Sequence, residues 1–376
     1  MICTPSFAAR ALAGLACAMW LWLSVAACGS LAYDRSVKNV YDALDHGDAG
    51  KALGVLDREV AAARPEREAL LRLERAIVRL RVGQFAEAAS DLAAADPVLE
   101  VLDLDRDVDG QLAAQLVSEA AGNYRPPPFE KLLVNALGMA SRLAADDVES
   151  ARIEARRFEV LAKYYDAQHT AEHEAAAVGR ALAALVAEVS AHKALSVEGA
   201  DGELVVLVAS GRVPRRVSVR HTRAEIEARL GLPAPEADAK RSLNVLGLDG
   251  GAAPSLTEVA IDGVGVPLSP IGNPAASARA TFERQSARLY RAALNREGLR
   301  HGAKRASNGG VLGFFVGATL EGNDTPDTRA WSLLPAGIHR VRVRVRAGAH
   351  TLRIGDRTID ATVIAGQIRV VFAALP

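Results

Sequence analysis

The stretch VGQFAEAASDLAAADP, residues 82–97, decides the first half of the fold. It carries three small or aliphatic residues spaced by four and three positions: Ala88, Leu92 and Ala95. That spacing puts the three side chains on one face of a helix. Gly83 stands where the bend between two paired helices needs a permissive backbone, and Pro97 is expected to end the second helix.

The same pattern recurs along this half of the chain. Upstream, HGDAGKALGVLD contains Gly47 and Ala52 in the same order. Ala52 precedes Ala88 by 36 residues, and Ala151 in DDVESARIEARRFEVL follows Ala88 by 63. These distances are close to one and two periods of the tetratricopeptide repeat, which is about 34 residues long. Because alanine lets paired helices approach closely, we expect a tetratricopeptide-like helical domain over residues 28–195. A generic alanine-rich bundle is the alternative.

The hydrophobic pattern changes to a period of two after KALSVEGADGE, residues 193–203. We expect residues 204–376 to be mainly antiparallel sheet with one or two helices, the longer one near 275–306. Gly, Pro, Ala and Ser are abundant over 231–275, where one strand near Val259–Val266 is expected. The tail predicts a β-meander of four strands: His339–Arg346, His350–Ile354, Thr358–Ile364 and Ile368–Phe372. The predicted fold class is therefore α+β, in two domains.

Residues 1–27 have the composition of a secretory signal peptide. Arg10 supplies a positive charge, and the apolar run that follows it contains no charge. The stretch VAAC, which ends at Cys28, resembles the lipobox of bacterial lipoproteins, in which the cysteine thiol accepts the acyl chain. Cleavage before Cys28 would leave it as the single cysteine of the mature chain, and lipidation would consume it. An N-terminal helix that stays in the membrane is the alternative.

HTAEH, residues 169–173, matches the H-x-x-E-H pattern of inverted zinc peptidases. His169 and His173 would share a helix face and could reach one metal ion, and Glu172 could activate a water molecule. A working site also needs a third ligand and a substrate cleft. The surrounding AQHTAEHEAAAV is typical of the solvated side of a long helix, which is what we expect here. A zinc-dependent hydrolase is the alternative.

HRVRVRVR, residues 339–346, alternates strictly between basic and aliphatic side chains. In a strand this order puts Arg340, Arg342, Arg344 and Arg346 on one face and the valines on the other. We expect the polar face of an outer strand, where positive charge deters edge-to-edge association. A strip that binds anions through the guanidinium groups is the alternative.

Composition and missing motifs limit the possible functions. The chain has 45 basic and 45 acidic residues, so its formal net charge is zero, and it shows no basic footprint for nucleic acid. It contains no phosphate-binding loop, no G-x-S-x-G elbow and no cysteine pair for a metal site. We therefore expect a protein that is not an enzyme and that needs no cofactor.

Five stretches resemble a family of uncharacterised bacterial lipoproteins, in which tetratricopeptide-like helices precede an α+β region. They are the lipobox, YDALDHGDAGKALGVLD, RAIVRLRVGQFAEAASDLAAAD, PPFEKLLVNALGMASRLAADDVESARIEARRFE and DTRAWSLLPAGIHRVRVRVRAGAHTLRI. The resemblance covers most of residues 28–376, and residues 231–275 depart from it.

The resemblance implies a lipid-anchored protein of the cell envelope. Gly29 after Cys28 is compatible with the outer membrane and a body facing the periplasm. The expected function is a non-enzymatic scaffold whose helical repeats bind an envelope protein or peptide partner, while the lipid on Cys28 binds the membrane. No nucleic-acid partner is expected. An accessory component of an envelope export or assembly system is a further alternative.

Overall fold

The first half of the chain folds into paired helices. The computed structural model describes residues 33–104, 124–167, 173–194, 201–233, 239–251, 256–306 and 326–375. The helices of this half are α1 (33–45), α2 (Ala49–Ala62), α3 (Pro65–Val82), α4 (Phe85–Leu104), α5 (Pro128–Ala144), α6 (Val148–Ala167) and α7 (His173–Ala194). The predicted signal peptide, residues 1–27, lies outside the described residues.

Three helix pairs are joined by the same kind of turn. The central residue of each turn has a left-handed backbone, with φ of 75° at Gly47, 82° at Gly83 and 59° at Asp146. In each turn this residue donates its backbone N–H to the carbonyl three residues back, and the next residue donates to the carbonyl five residues back. This is the bonding pattern that closes a helix before a sharp turn. The predicted bends at Gly47 and Gly83 are therefore confirmed.

The second helix of each pair carries a fully buried alanine in its first turn: Ala52, Ala88 and Ala151. A methyl side chain at these positions lets the paired helices approach closely. The prediction of a helical first half is confirmed. The assignment of these pairs to tetratricopeptide repeats stays a prediction.

The prediction that Pro97 ends its helix is wrong, because α4 continues through Pro97 to Leu104. Proline lacks the N–H of the helix ladder and crowds the carbonyl one turn back, at a cost of about 3 kcal/mol. Leu99, beyond the proline, is buried in the core. Burial of a leucine side chain contributes about 1.5–3 kcal/mol, which offsets much of that cost.

The second half, as far as it is described, forms two four-stranded sheets and a separate pair of strands. The strands are β1 (Asp201–Ser210), β2 (Arg215–Thr222), β3 (Ser242–Asp249), β4 (Glu258–Ile261), β5 (Val264–Pro267), β6 (Ser269–Gly272), β7 (Gly337–Arg346), β8 (Gly348–Ile354), β9 (Arg357–Val363) and β10 (Ile368–Ala374). The first sheet has the order β10-β1-β7-β6, the second β5-β4-β8-β9, and β2 pairs with β3. β10 runs parallel to β1. Two helices, α8 (Arg223–Arg229) and α9 (Pro274–Ala306), lie in this half, and α9 confirms the predicted helix near 275–306.

The four predicted strands of the tail are present, but their arrangement as a meander is wrong. β8 and β9 pair in the second sheet, whereas β7 and β10 flank β1 in the first. Burial gives the physical reason. β8 and β9 place exposed residues between buried ones, so each can leave one face in solvent. β10 is buried along almost its whole length, so it needs cover on both faces.

The described parts of residues 231–275 hold four strands, where one was expected near Val259–Val266. That segment is a hairpin of β4 and β5, which turns at Asp262 and Gly263 with φ of 50° and 83°. Positive φ at both central residues is the backbone of a favoured two-residue hairpin turn. The sequence did not predict β3 and β6, because the Gly and Pro residues around them are typical of loops.

The first sheet lies at the centre of the described structure because both of its faces are covered. Val205 and Leu207 join a hydrophobic core with residues of the helices α1 to α7. Leu204 and Val206 belong to a second core, between the first and second sheets. A smaller core lies between α8, α9 and β3. The α+β fold class is thus confirmed, with a helical first half and a strand-rich second half.

Within the described residues one helix is long and apolar enough to cross a membrane. It is α7 over His173–His192, with a mean hydropathy of 1.2. Its side chains Val178, Leu182 and Leu185 are buried in the main core. Core helices of globular proteins commonly have this length and composition.

Candidate functional site

Most of the predicted zinc site lies outside the described residues, as does Cys28. His169 and Glu172 are among the residues not described, and His173 is the exposed first residue of α7. His173 borders a shallow pocket with Asp166 and Arg180, and these two form an ion pair at 2.8 Å. Across the described ranges, no group of three His, Cys, Asp or Glu residues is arranged to hold a metal ion.

The arginine strand, β7, was expected to be an outer strand, but it lies between β1 and β6 in the first sheet. β6 pairs only with Ile338–Arg340, so the remaining part of β7 is paired on one side, with β1. Val341 is buried, and Val343 and Val345 pack against the core between the sheets, so the predicted alternation is confirmed. Arg342 bonds to Glu203 of β1 at 2.6 Å and to Glu188 of α7 at 2.5 Å. It therefore links the sheet to the helices. The binding of anions by the remaining arginines stays a prediction.

A segment of the second half enters the helical half and is held there by a buried carboxylate. This segment, residues 326–335, places Trp331 at 0% exposure, with its indole N–H donated to the carbonyl of Leu73 at 3.0 Å. Glu74, on α3, accepts the backbone N–H of Ser332 at 2.7 Å and that of Leu333 at 2.9 Å. Burial raises the pKa of Glu74 to about 7, although the hydrogen bonds it accepts act in the opposite direction.

Further hydrogen bonds connect buried side chains of the helices to this segment and to Glu74. Glu130, at the start of α5, accepts the backbone N–H of Trp331 at 3.3 Å and the hydroxyl of Tyr124. Tyr33 donates its hydroxyl to Glu74 at 2.7 Å, and Tyr41 donates to the carbonyl of Ser332 at 2.7 Å. Burial raises the pKa of Glu130.

This arrangement is suited to holding a backbone rather than to catalysis. The oxygens of both carboxylates accept bonds from the protein's own N–H and O–H groups. The hydroxyl of Ser332 contacts the carbonyl of Ala330 at 3.0 Å in a buried position. A nucleophile must reach its substrate and be activated by an adjacent base, and the burial of Ser332 denies it access.

The 326–335 segment and β10 cover the inner face of the helical half. The first helix of each pair contributes to the contact, through Tyr41 of α1, Leu73 of α3 and Glu130 of α5. In an open stack of helix pairs this face would be free to bind a partner. Here the same chain fills it.

Sequence reasoning missed Glu74 and Glu130 as buried residues. Glu74 lies in LLRLERAIVRL, where an acidic residue reads as the solvated side of a helix. Its backbone partner Ser332 is 258 residues away, so no local pattern could indicate the contact. The sequence feature that could have indicated a buried contact is Trp331. It is the only tryptophan after residue 22, and it stands shortly before β7.

The outer helix α6 exposes a row of large apolar side chains. Ile153, Val160 and Tyr164 are 52%, 71% and 53% exposed. They are spaced by seven and four residues, so they share one face of the helix. Arg156 is exposed on the same side of α6 and has no ion pair within the described part of the chain. The other large exposed apolar residues are scattered over several elements: Val82, Leu232, Val264 and Ile364.

Comparison with known proteins identifies no relative of this chain. No protein-family model, no curated protein and no solved structure matches the chain. Function must therefore be argued from the residues and contacts above.

Proposed function

We propose that this protein is a lipid-anchored scaffold of the cell envelope that binds a protein partner through its helical half and catalyses no reaction. The single observation that carries the proposal is the row of Ile153, Val160 and Tyr164 on the outer helix α6. An aligned set of exposed large apolar residues is a common mark of a protein-binding surface. The inner face of the same helices supports this choice, because it is already filled by the chain itself.

The lipobox at Cys28 supports the anchor. Only four residues separate Cys28 from Tyr33, so the backbone between them can span at most roughly 18 Å. The start of α1 is fixed to the body, because Tyr33 bonds to Glu74 and Asp34 bonds to the hydroxyl of Thr328 at 2.9 Å. A lipid on Cys28 would therefore hold the folded body against the membrane surface, in our proposal the periplasmic face of the outer membrane.

The partner surface combines apolar contact with positive charge. Arg156 lies beside Val160 on the exposed side of α6, and Lys163 follows one turn further on the same helix. A partner segment with apolar and acidic side chains fits such a face. A component of an envelope assembly or export system would meet this requirement.

The anchor is tested by replacing Cys28 with Ser. The wild-type protein should stay with the membrane fraction after a high-salt wash, and the mass of its N-terminal peptide should include acyl chains. The Cys28→Ser protein should appear in the soluble fraction. If it still sediments with membranes, the anchor lies elsewhere in the chain.

The partner surface is tested by affinity capture from envelope extracts with matched variants. Val160→Asp puts a charge in the middle of the apolar row, whereas Val264→Asp puts the same charge on β5, where Val264 is 67% exposed. Both variants should keep the wild-type thermal stability. Loss of a captured envelope protein with Val160→Asp alone supports the proposal, and identical captured sets with the two variants refute it.

A further inference from the structure

Residues 341–346 of β7 form an open edge of the first sheet. β6 pairs with β7 only at residues 338–340, whereas β1 pairs with it as far as Arg346. In an antiparallel strand, the backbone N–H and C=O groups of alternate residues point to opposite neighbours. Over a length of about 20 Å, half of the backbone groups of β7 therefore point to a side where the described residues place no strand.

The exposed side chains of this edge are arginines. Arg342, Arg344 and Arg346 are exposed, while the valines between them turn to the core between the two sheets. Arg342 is already paired with Glu203 and Glu188. Arg344 and Arg346 have no ion pair in the part of the chain that the structure describes. Their guanidinium donors are therefore available to carboxylates of another molecule.

β1, on the paired side of β7, shows which kind of strand fits beside the arginines. Its Asp201 and Glu203 stand directly opposite Arg346 and Arg344. Glu203 also reaches Arg342, the next arginine on the same face, and bonds to it at 2.6 Å. Opposite charges on neighbouring strands stabilise a sheet, whereas like charges directly opposite destabilise it. A strand with carboxylates at every second position thus complements this face of β7.

We propose that this edge binds an extended acidic segment of a partner protein, which joins the first sheet as a strand beside β7. The backbone of the segment bonds to the open N–H and C=O groups of residues 341–346, the mode of binding known as strand addition. Its carboxylates, at every second position, lie against Arg344 and Arg346 as those of β1 do on the other side. This surface is separate from the row on α6.

The charge and the backbone together select this occupant. A second copy of β7 does not fit, because pairing two such strands places arginines beside arginines. A surface of lipid phosphates fits less well than a peptide strand. Phosphate oxygens accept bonds from the arginines and the open N–H groups, but they offer no donor to the open carbonyl groups. A peptide strand supplies both donors and acceptors.

The test measures binding of a fluorescent seven-residue peptide, in which glutamate and valine alternate, to the full chain by fluorescence anisotropy. The peptide should bind saturably, and more weakly as salt is added. A peptide of the same composition with its glutamates grouped at one end should bind more weakly, because its carboxylates do not share one face. Two further peptides carry N-methyl groups on every glutamate or on every valine. At least one of them should lose binding, because one of the two sets of N–H groups faces β7.

Matched variants locate the peptide on β7. Arg344→Thr combined with Arg346→Thr should weaken binding about three- to thirtyfold, which is the effect of losing two cross-strand charge pairs. Arg353→Thr removes an exposed arginine from β8, a strand that is paired on both sides at this position, and should leave binding unchanged. Val160→Asp, on α6, should also leave it unchanged, so this proposal and the partner surface on α6 fail separately.

Four results would overturn the proposal. They are the absence of saturable binding by the alternating peptide, equal binding by the grouped peptide, undiminished binding by both methylated peptides, and undiminished binding to the double arginine variant. Vesicles of phosphatidylglycerol serve as the comparison for a lipid surface. If they bind the wild type but not the double variant, and the peptide does not bind, the edge is a lipid contact instead.

Discussion

Replacing Glu74 by Gln should change how the stability of the protein depends on pH. Glu74 is fully buried on α3 and accepts bonds from Tyr33, Ser332 and Leu333. Burial disfavours the charged carboxylate, while these three donors favour it. The balance raises the pKa of Glu74 from 4.5 in the unfolded chain to about 7 in the folded protein.

The sign and size of the effect follow from these two pKa values. The folded protein binds the proton more tightly, so this contribution to stability is fully present below pH 4.5 and is lost as pH rises through about 7. Each pH unit between the two values is worth about 1.4 kcal/mol, which gives a total of about 3 kcal/mol. Glutamine does not titrate. The free energy of unfolding of Glu74→Gln should therefore gain up to about 3 kcal/mol relative to wild type as pH rises.

Urea unfolding of wild type and Glu74→Gln at half-unit steps of pH, roughly from 5 to 8, measures this difference. Other carboxylates titrate equally in both proteins, so the subtraction isolates Glu74. Glu87→Gln, which removes an exposed carboxyl group from α4, is measured in the same way as a matched control. A flat difference for Glu74→Gln would refute the reasoning, since it would mean that the three donors keep Glu74 ionised in the folded protein.

Four other substitutions test the packing, the turns and a helix interior. Trp331→Ala should lower the free energy of unfolding by about 3–5 kcal/mol, read from the urea midpoint, because it empties the contact between the 326–335 segment and the helices. Ala88→Leu should cost about 1–3 kcal/mol by overpacking a helix pair, seen as a lower melting temperature. Gly83→Ala should cost about 1 kcal/mol, since φ is 82° although no atom lies near the added methyl group. Gly54→Ala, inside α2, should instead stabilise by up to about 1 kcal/mol, because the added methyl group would meet only the Arg58 side chain, at 3.8 Å.

The sequence predicted the parts of the fold that depend on local patterns. The bends at Gly47 and Gly83 follow from backbone conformation, and the buried alanines follow from the helical period. The strands of the tail follow from alternation. The bend at Asp146 was harder to find, because an aspartate rarely takes a φ of 59°. Each of these features is determined by residues that lie within a few positions of one another in the sequence.

The arrangement of the strands could not be predicted in the same way. A turn signal between β7 and β8 is equally compatible with a hairpin and with a crossing to another sheet. What decides between them is the cover available on both faces of β10. One face packs on helices that include α3 and α5, more than 200 residues earlier in the chain, and the other packs on the second sheet. Pairing of this kind is a property of the whole core, not of the turn.

The candidate site also combines features that a local sequence pattern predicts with features that depend on the whole fold. The lipobox-like stretch that ends at Cys28 is a contiguous pattern, so it could be predicted from the sequence alone, and it stays a prediction. The row on α6 could also have been found, because Ile153, Val160 and Tyr164 lie on the opposite side of the helix from Ala151 and Ala155. Which of the two faces of α6 is buried depends on α5 and α7, so the exposure of the row needed the structure.

The 326–335 segment makes the two halves of the chain depend on each other. Without it Glu74 would lose the backbone donors of Ser332 and Leu333, and Glu130 would lose that of Trp331. Both carboxylates would then face an apolar surface, where an unsatisfied charge is costly. The boundary at residues 193–203 therefore separates two patterns of secondary structure, but the main hydrophobic core extends across it. Ala151 of α6 and Val205 of β1 lie in this one hydrophobic core, so the exposed row on α6 is built on the same core as the central sheet.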